Sequence, residues 1–237
     1  MSPDFPGTLE PGQVRAMFDR IAGVYDLMNG VMTAGLHHRW RARAIELAAV
    51  GPGDRVLDVA TGTGDLAAAA LAAVGPSGEV IGVDFAPAML ARARTKVPGA
   101  RFELADALAL PYADGEFDAT TVGFGARNFA DLERGIAELA RVTKPGGRVV
   151  ILEITQPARE PLATFYRTWF DAIVPALGAL AGDRAAYSYL PSSVRRFPGP
   201  RELARLMSAV GLSRIRCILT AGGIIAIHVG VVQGAGA

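Results

Sequence analysis

Between Arg55 and Ile154 the chain alternates between two hydrophobic rhythms. Short runs rich in β-branched residues predict strands at Arg55–Ala60, Glu79–Asp84, Arg101–Ala105, Phe117–Val122 and Arg148–Ile154. Between them, apolar residues recur at helical spacing over Asp65–Val74, Ala86–Lys96 and Leu132–Val142. Pro87 stands near a helix start, where its missing N–H costs nothing. Strands alternating with helices mean βαβ units and a parallel sheet. Ahead of this core, Pro11–Ala22 reads as a helix with Val14, Met17, Phe18 and Ile21 on one face. Asp26–Gly35, rich in Asn, Gly and Thr, reads as a break, and Leu36–Val50 as a second helix stopped by Gly51-Pro52-Gly53.

After Ile154 the rhythm changes. Pro161–Leu180 is an aromatic and apolar helical insert, Pro200–Val210 a helix, and Leu212–Leu219 and Gly223–Val232 are strands. Only Thr220-Ala221-Gly222 joins those strands, which allows only an antiparallel pair. The expected fold is α/β and Rossmann-like: a mostly parallel seven-stranded sheet, closed by an antiparallel C-terminal hairpin, with added N-terminal helices. Residues 1–237 read as a single domain. Its parts are a helical cap (11–50), a cofactor-binding core (55–154), a substrate-side insert and loop (158–200) and the closing hairpin (212–232).

Composition narrows the function classes. The 237 residues are 51% hydrophobic, enough for one large core, and the net charge of +1 steers the protein to neither nucleic acid nor acidic lipid. Of the 24 basic residues only Lys96 and Lys144 are lysines. The single cysteine, Cys217, allows no intrachain disulfide and no cysteine-based zinc site; its apolar surroundings predict a buried core thiol. His37 and His38 are adjacent and no H-E-x-x-H spacing occurs, so no metal is expected; the pair reads as the opening of a helix with a structural role. Met1–Gly12 lacks the apolar stretch of a signal peptide, and the longest apolar segment, Ile173–Ala181, is too short to span a bilayer. A cytoplasmic location is expected.

The chemistry concentrates in Val56-Leu-Asp-Val-Ala-Thr-Gly-Thr-Gly-Asp65, a strand, tight turn and helix start in ten residues. Ligands of α/β sheets bind at the carboxyl ends of strands, so this turn should hold a nucleotide-like cofactor. Gly62-Thr-Gly64-Asp-Leu-Ala67 satisfies the dinucleotide pattern, and Asp84 follows Gly64 by twenty residues, as a ribose-binding acid would. On these residues alone NAD competes. A dehydrogenase, however, needs a second region carrying a catalytic side chain against the nicotinamide, and the strands and hairpin leave little room for one. Asp106 after the third strand and Lys144-Pro-Gly-Gly147 before the fifth suit the class I S-adenosylmethionine (SAM)-dependent methyltransferases, which Val56–Ile154 resembles. Asp58 is expected to order the turn, and Lys144-Pro-Gly-Gly147 to be a helix stop and turn.

Four further stretches sharpen the resemblance. They are Met17-Phe-Asp-Arg-Ile-Ala-Gly-Val-Tyr-Asp-Leu-Met-Asn29 running on to Gly35-Leu-His-His-Arg-Trp-Arg41, then Phe124-Gly-Ala-Arg-Asn128, Tyr187-Ser-Tyr-Leu-Pro-Ser-Ser-Val-Arg-Arg-Phe-Pro198 and Leu219-Thr-Ala-Gly-Gly-Ile-Ile-Ala-Ile-His228. Over roughly Val14–Gly230 the chain resembles the menaquinone/ubiquinone biosynthesis C-methyltransferases. The resemblance implies SAM as cofactor, with the family's positions on Thr63, Asp84, Asp106 and Ala107, while Gly62 and Gly64 are expected to let backbone amides approach its methionine moiety. It implies methyl transfer to a ring carbon of a polyprenylated quinol, demethylmenaquinol or the ubiquinol precursor. Three departures stand out: Ala60 at the start of the glycine turn, Gly123 where some members have serine, and Ser192-Ser193 for the more common Glu-Ser.

Arg127 is the candidate to hold the substrate's developing oxyanion, Asn128 to orient it or a water, and His228 to act as base. Tyr187 and Tyr189 are candidate quinol contacts in a tyrosine-rich loop. The polyprenyl tail needs shelter, and the N-terminal helix or the Phe165–Leu180 insert should supply it, with one of them at the membrane surface or in a homodimer interface. Two other readings stand at this level: an O- or N-methyltransferase of another apolar small molecule, and a SAM-binding scaffold subunit without turnover.

Overall fold

In the computed structural model, which describes residues 10–157, 160–169, 173 and 184–234, seven strands form one sheet. They are β1 (Arg55–Val59), β2 (Glu79–Asp84), β3 (Arg101–Leu104), β4 (Phe117–Gly123), β5 (Thr143–Ile154), β6 (Leu212–Thr220) and β7 (Ile225–Val232), in the order β3-β2-β1-β4-β5-β7-β6. β7 pairs antiparallel with both β5 and β6; the other pairs are parallel. The strands thus reproduce the expected plan, closing hairpin included.

Helices cover both faces of the sheet, because its strands are apolar on both. Successive residues Val56 and Leu57 face opposite layers. One layer packs α3 (His37–Ala48), α4 (Asp65–Val74) and α5 (Pro87–Lys96) through Ala44, Ile45, Leu66, Ala70 and Leu90. The other packs α6 (Leu132–Val142) and α9 (Pro200–Ala209) through Ile136, Leu139, Leu203 and Met207. Asp131 caps α6, its carboxylate accepting from the Arg134 amide at 3.0 Å. Beyond the strand ends lie α1 (Pro11–Ile21), α2 (Tyr25–Thr33), α7 (Leu162–Thr168) and α8 (Arg184–Arg196).

Four expectations are corrected. The supposed break at Asp26–Gly35 is mostly the helix α2, because Tyr25, Met28 and Met32 recur at helical spacing and join Met17 and Ile21 of α1 in a common cluster. The helix ends where Ala34 and Gly35 take positive φ, and the Gly35 amide donates to the Gly30 carbonyl at 3.0 Å. The tyrosine-rich loop is likewise a helix, α8, with Pro191 inside it. Lys144-Pro-Gly-Gly147 does not precede β5 but interrupts its pairing: Phe117 opposes Thr143 and Ala119 opposes Arg148, so those residues bulge from the ladder. Cys217 is exposed, not buried, because β6 is the sheet's edge and its register shifts between Ser213 and Arg216.

Candidate active site

Two cavities lie side by side at the carboxyl ends of β1 to β5. The first, about 550 Å³, is lined by Asp58, Gly62, Thr63, Asp84, Asp106, Ala107 and Asn128 among others. Its floor follows from the backbone. β1 ends at Val59, Ala60 and Gly62 after it both take positive φ, and the chain then turns into α4. A Cβ on Gly62 would meet no atom within 4 Å, so open space lies above that residue. Gly64 is different. A Cβ there would press Phe102 at 3.1 Å and Val97 at 3.2 Å, and φ is +86°, so this glycine lets the turn pack on β3 and α5 and does not line the cavity.

Asp84 crosses from the end of β2 to the turn. Oδ2 accepts from the Gly62 amide at 2.8 Å and Oδ1 from the Ala86 amide at 2.9 Å. Each oxygen keeps acceptor capacity for the hydroxyls of a ligand in the cavity. Burial raises its pKa against the pull of those amides. Asp58 is fully buried and accepts from Thr61 at 2.6 Å and Thr121 at 2.9 Å; burial pushes its pKa up to about 6. It ties β1 to the turn and to β4, as the sequence led one to expect, and it also borders the cavity. Asp106 turns its own loop, accepting from the Leu108 amide at 2.9 Å.

Thr63 is buried, and its hydroxyl donates to Asp26 of α2 at 2.5 Å. Lys96 joins Asp26 at 2.7 Å and Asp65 at 2.5 Å. The N-terminal cap is thereby fastened to the turn itself, and a further bond runs from the Ala88 amide to Asp19 of α1 at 2.9 Å.

The second cavity, about 380 Å³, is apolar, with walls from α1, α2, α3, α7 and α8 that include Met17, Ile21, Met28, Trp40, Trp169 and Leu190. Its polar groups are Asn29, Thr33, His37, Arg41, Arg127 and the tyrosines Tyr25, Tyr166 and Tyr189. Arg127 sits on the short turn after β4. Nη1 donates to Glu153 at 2.8 Å and to the Phe124 carbonyl at 2.5 Å, and the Arg127 amide donates to Glu153 at 3.3 Å. Both members of the pair are buried, at 8% and 1% side-chain exposure. Arg127 Nε is buried with no hydrogen-bond partner. Glu153 keeps the guanidinium charged, its pKa held above the ordinary value despite burial. Tyr189 donates to Asn128 Oδ1 at 3.2 Å, so α8 closes over the same turn.

Phe18, Tyr25, Arg41 and Phe124 border both cavities. Phe124 stands at φ +60°, an unusual conformation for a bulky residue, directly after β4. The Arg41 guanidinium lies 5.5 Å from the centre of its ring, and Trp40 meets it edge-on at 6.4 Å.

Eight of the sequence-predicted site residues line one cavity or the other: Gly62, Thr63, Asp84, Asp106, Ala107 and Asn128 the first, Arg127 and Tyr189 the second. Asn128 borders the first cavity and meets Tyr189 at its rim. His228 is a correction. It lies mid-strand in β7, lines neither cavity, and shares a 2.9 Å hydrogen bond between Nε2 and the Pro200 carbonyl. Tyr187 falls in α8, and its side chain lies outside the described residues, as does most of the insert. Glu153 is the group that sequence reading missed, and His37, read there as structural, opens α3 and lines the second cavity. A glutamate closing an otherwise apolar strand was a visible signal for Glu153.

Among the described residues no cluster of His, Cys, Asp or Glu could hold a metal ion, and no helix is long and apolar enough to cross a membrane. The family described as the ubiE/COQ5 methyltransferase family matches residues 8–232. The chain is 49% identical over 219 residues to the demethylmenaquinone methyltransferase of Thermus thermophilus, covering 90% of this chain and 99% of that protein. It is 39% identical over 205 residues to the ubiquinone/menaquinone biosynthesis C-methyltransferase UbiE of Geobacter sulfurreducens, with 84% and 80% covered. In fold it is similar to a SAM-dependent methyltransferase of Thermotoga maritima, titled a possible histamine N-methyltransferase, at a TM-score of 0.65 and 19% identity, with 91% and 98% covered.

Proposed function

The chain belongs to the ubiE/COQ5 methyltransferase family, and from that membership we propose that it moves a methyl group from SAM to a ring carbon of demethylmenaquinol or the related ubiquinol precursor. It is a C-methyltransferase of quinone biosynthesis. The observation that carries the acceptor is the buried Arg127, which lines an apolar cavity and whose Nε has no hydrogen-bond partner.

The larger cavity suits SAM. Asp84 offers two carboxylate oxygens to the ribose hydroxyls, and charge-assisted bonds of that type are the stronger kind. Gly62 leaves room for close approach, the start of α4 favours the methionine carboxylate, and Asp106 and Ala107 flank the adenine. When bound there, SAM supplies an electrophilic methyl group.

The protein's task is to make the acceptor carbon nucleophilic. A free phenol ionises near pH 10, as tyrosine does, so phenolate at neutral pH needs roughly 4 kcal/mol of help. Arg127 supplies a fixed positive group whose Nε–H holds the ring oxygen as its charge grows. Glu153 orients that guanidinium from behind, and Arg127 itself gives up no proton. Phe18, Tyr25 and Phe124 exclude water where the two cavities meet.

The apolar walls shelter the start of the prenyl tail. Leu27, 68% exposed on α2, and Val31, 54% exposed where α2 borders the apolar cavity, support contact with a membrane surface. Wild-type protein that ignores vesicles carrying reduced substrate would overturn that contact. The reaction itself is tested by incubating the protein with SAM and reduced demethylmenaquinone. One methyl gained on the ring, read by mass spectrometry, is expected; product only from some other acceptor overturns the assignment.

A further inference from the structure

The apolar cavity has a second buried polar station besides Arg127. His37 opens α3 and is buried at 4% exposure, with its ring on the cavity wall. Its Nδ1 is hydrogen-bonded to Arg41, one turn along the same helix. Arg41 is itself held by Asp65 at 3.2 Å and lies over the Phe124 ring.

This arrangement decides what His37 can do. Arginine only donates hydrogen bonds, so Nδ1 must present its lone pair. Burial, and then the neighbouring Arg41, push the His37 pKa down to about 4, so the ring is neutral at physiological pH. A neutral imidazole with Nδ1 unprotonated carries its hydrogen on Nε2. Among the described residues nothing pairs with that Nε2. His37 therefore faces the cavity as a fixed donor. It is not a base, because its one lone pair is already engaged.

Both stations are anchored to one residue. Arg127 donates to the Phe124 carbonyl, and Arg41 stacks on the Phe124 ring. Two buried nitrogen donors, each tied to Phe124 directly or through Arg41, thus line a mostly apolar cavity.

We propose that His37 Nε2 donates a hydrogen bond to the second ring oxygen of the acceptor, the one not held by Arg127. The cavity then recognises an aromatic ring oxygenated at two opposite positions, and His37 is a specificity-determining catalytic residue. The inference rests on the quinol reading above and adds to it the group that reads the far oxygen.

The test pairs two variants with two substrates. His37→Phe removes the donor at similar volume; His37→Gln keeps an acceptor for Arg41 and an N–H to donate. The substrates are a prenylated para-dihydroxynaphthalene and the same ring lacking the hydroxyl remote from the methylated carbon. With the dihydroxy ring, His37→Phe should raise KM on the order of tenfold, the scale of one hydrogen bond to a polar partner, and His37→Gln should recover most of it. With the monohydroxy ring, wild type and His37→Phe should be alike, and SAM affinity by calorimetry should be unchanged in both variants. Equal losses on the two rings, or lost SAM affinity in both variants, would mean that His37 only props α3 and would overturn the proposal. No loss on either ring would overturn it as well. Unaltered protein that methylates neither ring would fail the quinol reading, and this inference with it.

Discussion

The two cavities share a wall but are built by different rules. The cofactor cavity is assembled from consecutive strand ends, with main-chain amides and short carboxylates as its equipment: Asp58, Gly62 and Asp84 lie within one βαβ unit. The acceptor cavity draws on α1, α2, α3, α7 and α8, from Met17 to Leu190, and its decisive groups are a buried ion pair and a buried neutral histidine. On the proposed reading, local geometry binds the methyl donor. Long-range packing shapes the acceptor's cavity, where buried polar groups survive through fixed partners.

The contrast is most sharply tested at Arg127. Arg127→Ala should lower kcat roughly 10²- to 10³-fold, the scale of one oxyanion donor, while SAM affinity stays within about twofold. It should also destabilise the fold by about 3–5 kcal/mol, because Glu153 is left buried and unpaired. Adding Glu153→Ala should restore most of the stability and none of the activity; a double variant that regains turnover would sink the assigned role. Next in size, Asp84→Ala should weaken SAM binding on the order of 10²-fold by calorimetry with quinol affinity unchanged. Matching losses for both ligands would erase the distinction between the cavities.

Smaller effects separate the two glycines. Gly64→Ala should lose roughly 1–3 kcal/mol in thermal denaturation, since its methyl meets Phe102 and Val97. Gly62→Ala should lose about 1 kcal/mol, from its positive φ alone, yet weaken SAM more, because its methyl enters the cavity. The subtlest difference is in pH. Asp58, raised to about 6, contributes stability below the usual carboxylate range and loses it as pH rises through 6. His37, lowered to about 4, contributes stability above the ordinary histidine pKa and loses it as pH falls toward 4. The slopes oppose each other. Asp58→Asn should leave stability rising with pH between 4 and 6.5, and His37→Gln should leave it falling, by up to about 3 kcal/mol from Asp58. Urea denaturation across that window reads both signs; identical profiles in the two variants would contradict them.

The same division explains what could be read in the chain. The limits of α4, α6 and β2 were legible to the residue, because strong periodicity and clear stop signals coincide there. So were the turn and Asp84, whose spacing follows from the βαβ geometry. α2 was not, because Asn29 and Gly30 weaken its local preference and the helix owes its existence to contacts of Met28 and Met32 with α1 and beyond. α8 hid behind Pro191 and its serines. His228 had the right chemistry in sequence but the wrong neighbours: the sheet places it against β5 and β6. His37 showed the reverse, since only the folded arrangement with Arg41 and Asp65 converts an ordinary helix residue into a donor facing the cavity.

Phe18, Tyr25, Arg41 and Phe124 belong to both cavities at once. Whatever ordering one ligand imposes on those four side chains is inherited by the other, and the favour is returned in equal measure, since thermodynamic linkage is reciprocal. Mutation can therefore adjust donor and acceptor affinities separately at Asp84 or His37, but not at the partition. There the two affinities travel together, and an enzyme altered at Phe124 must change its appetite for both.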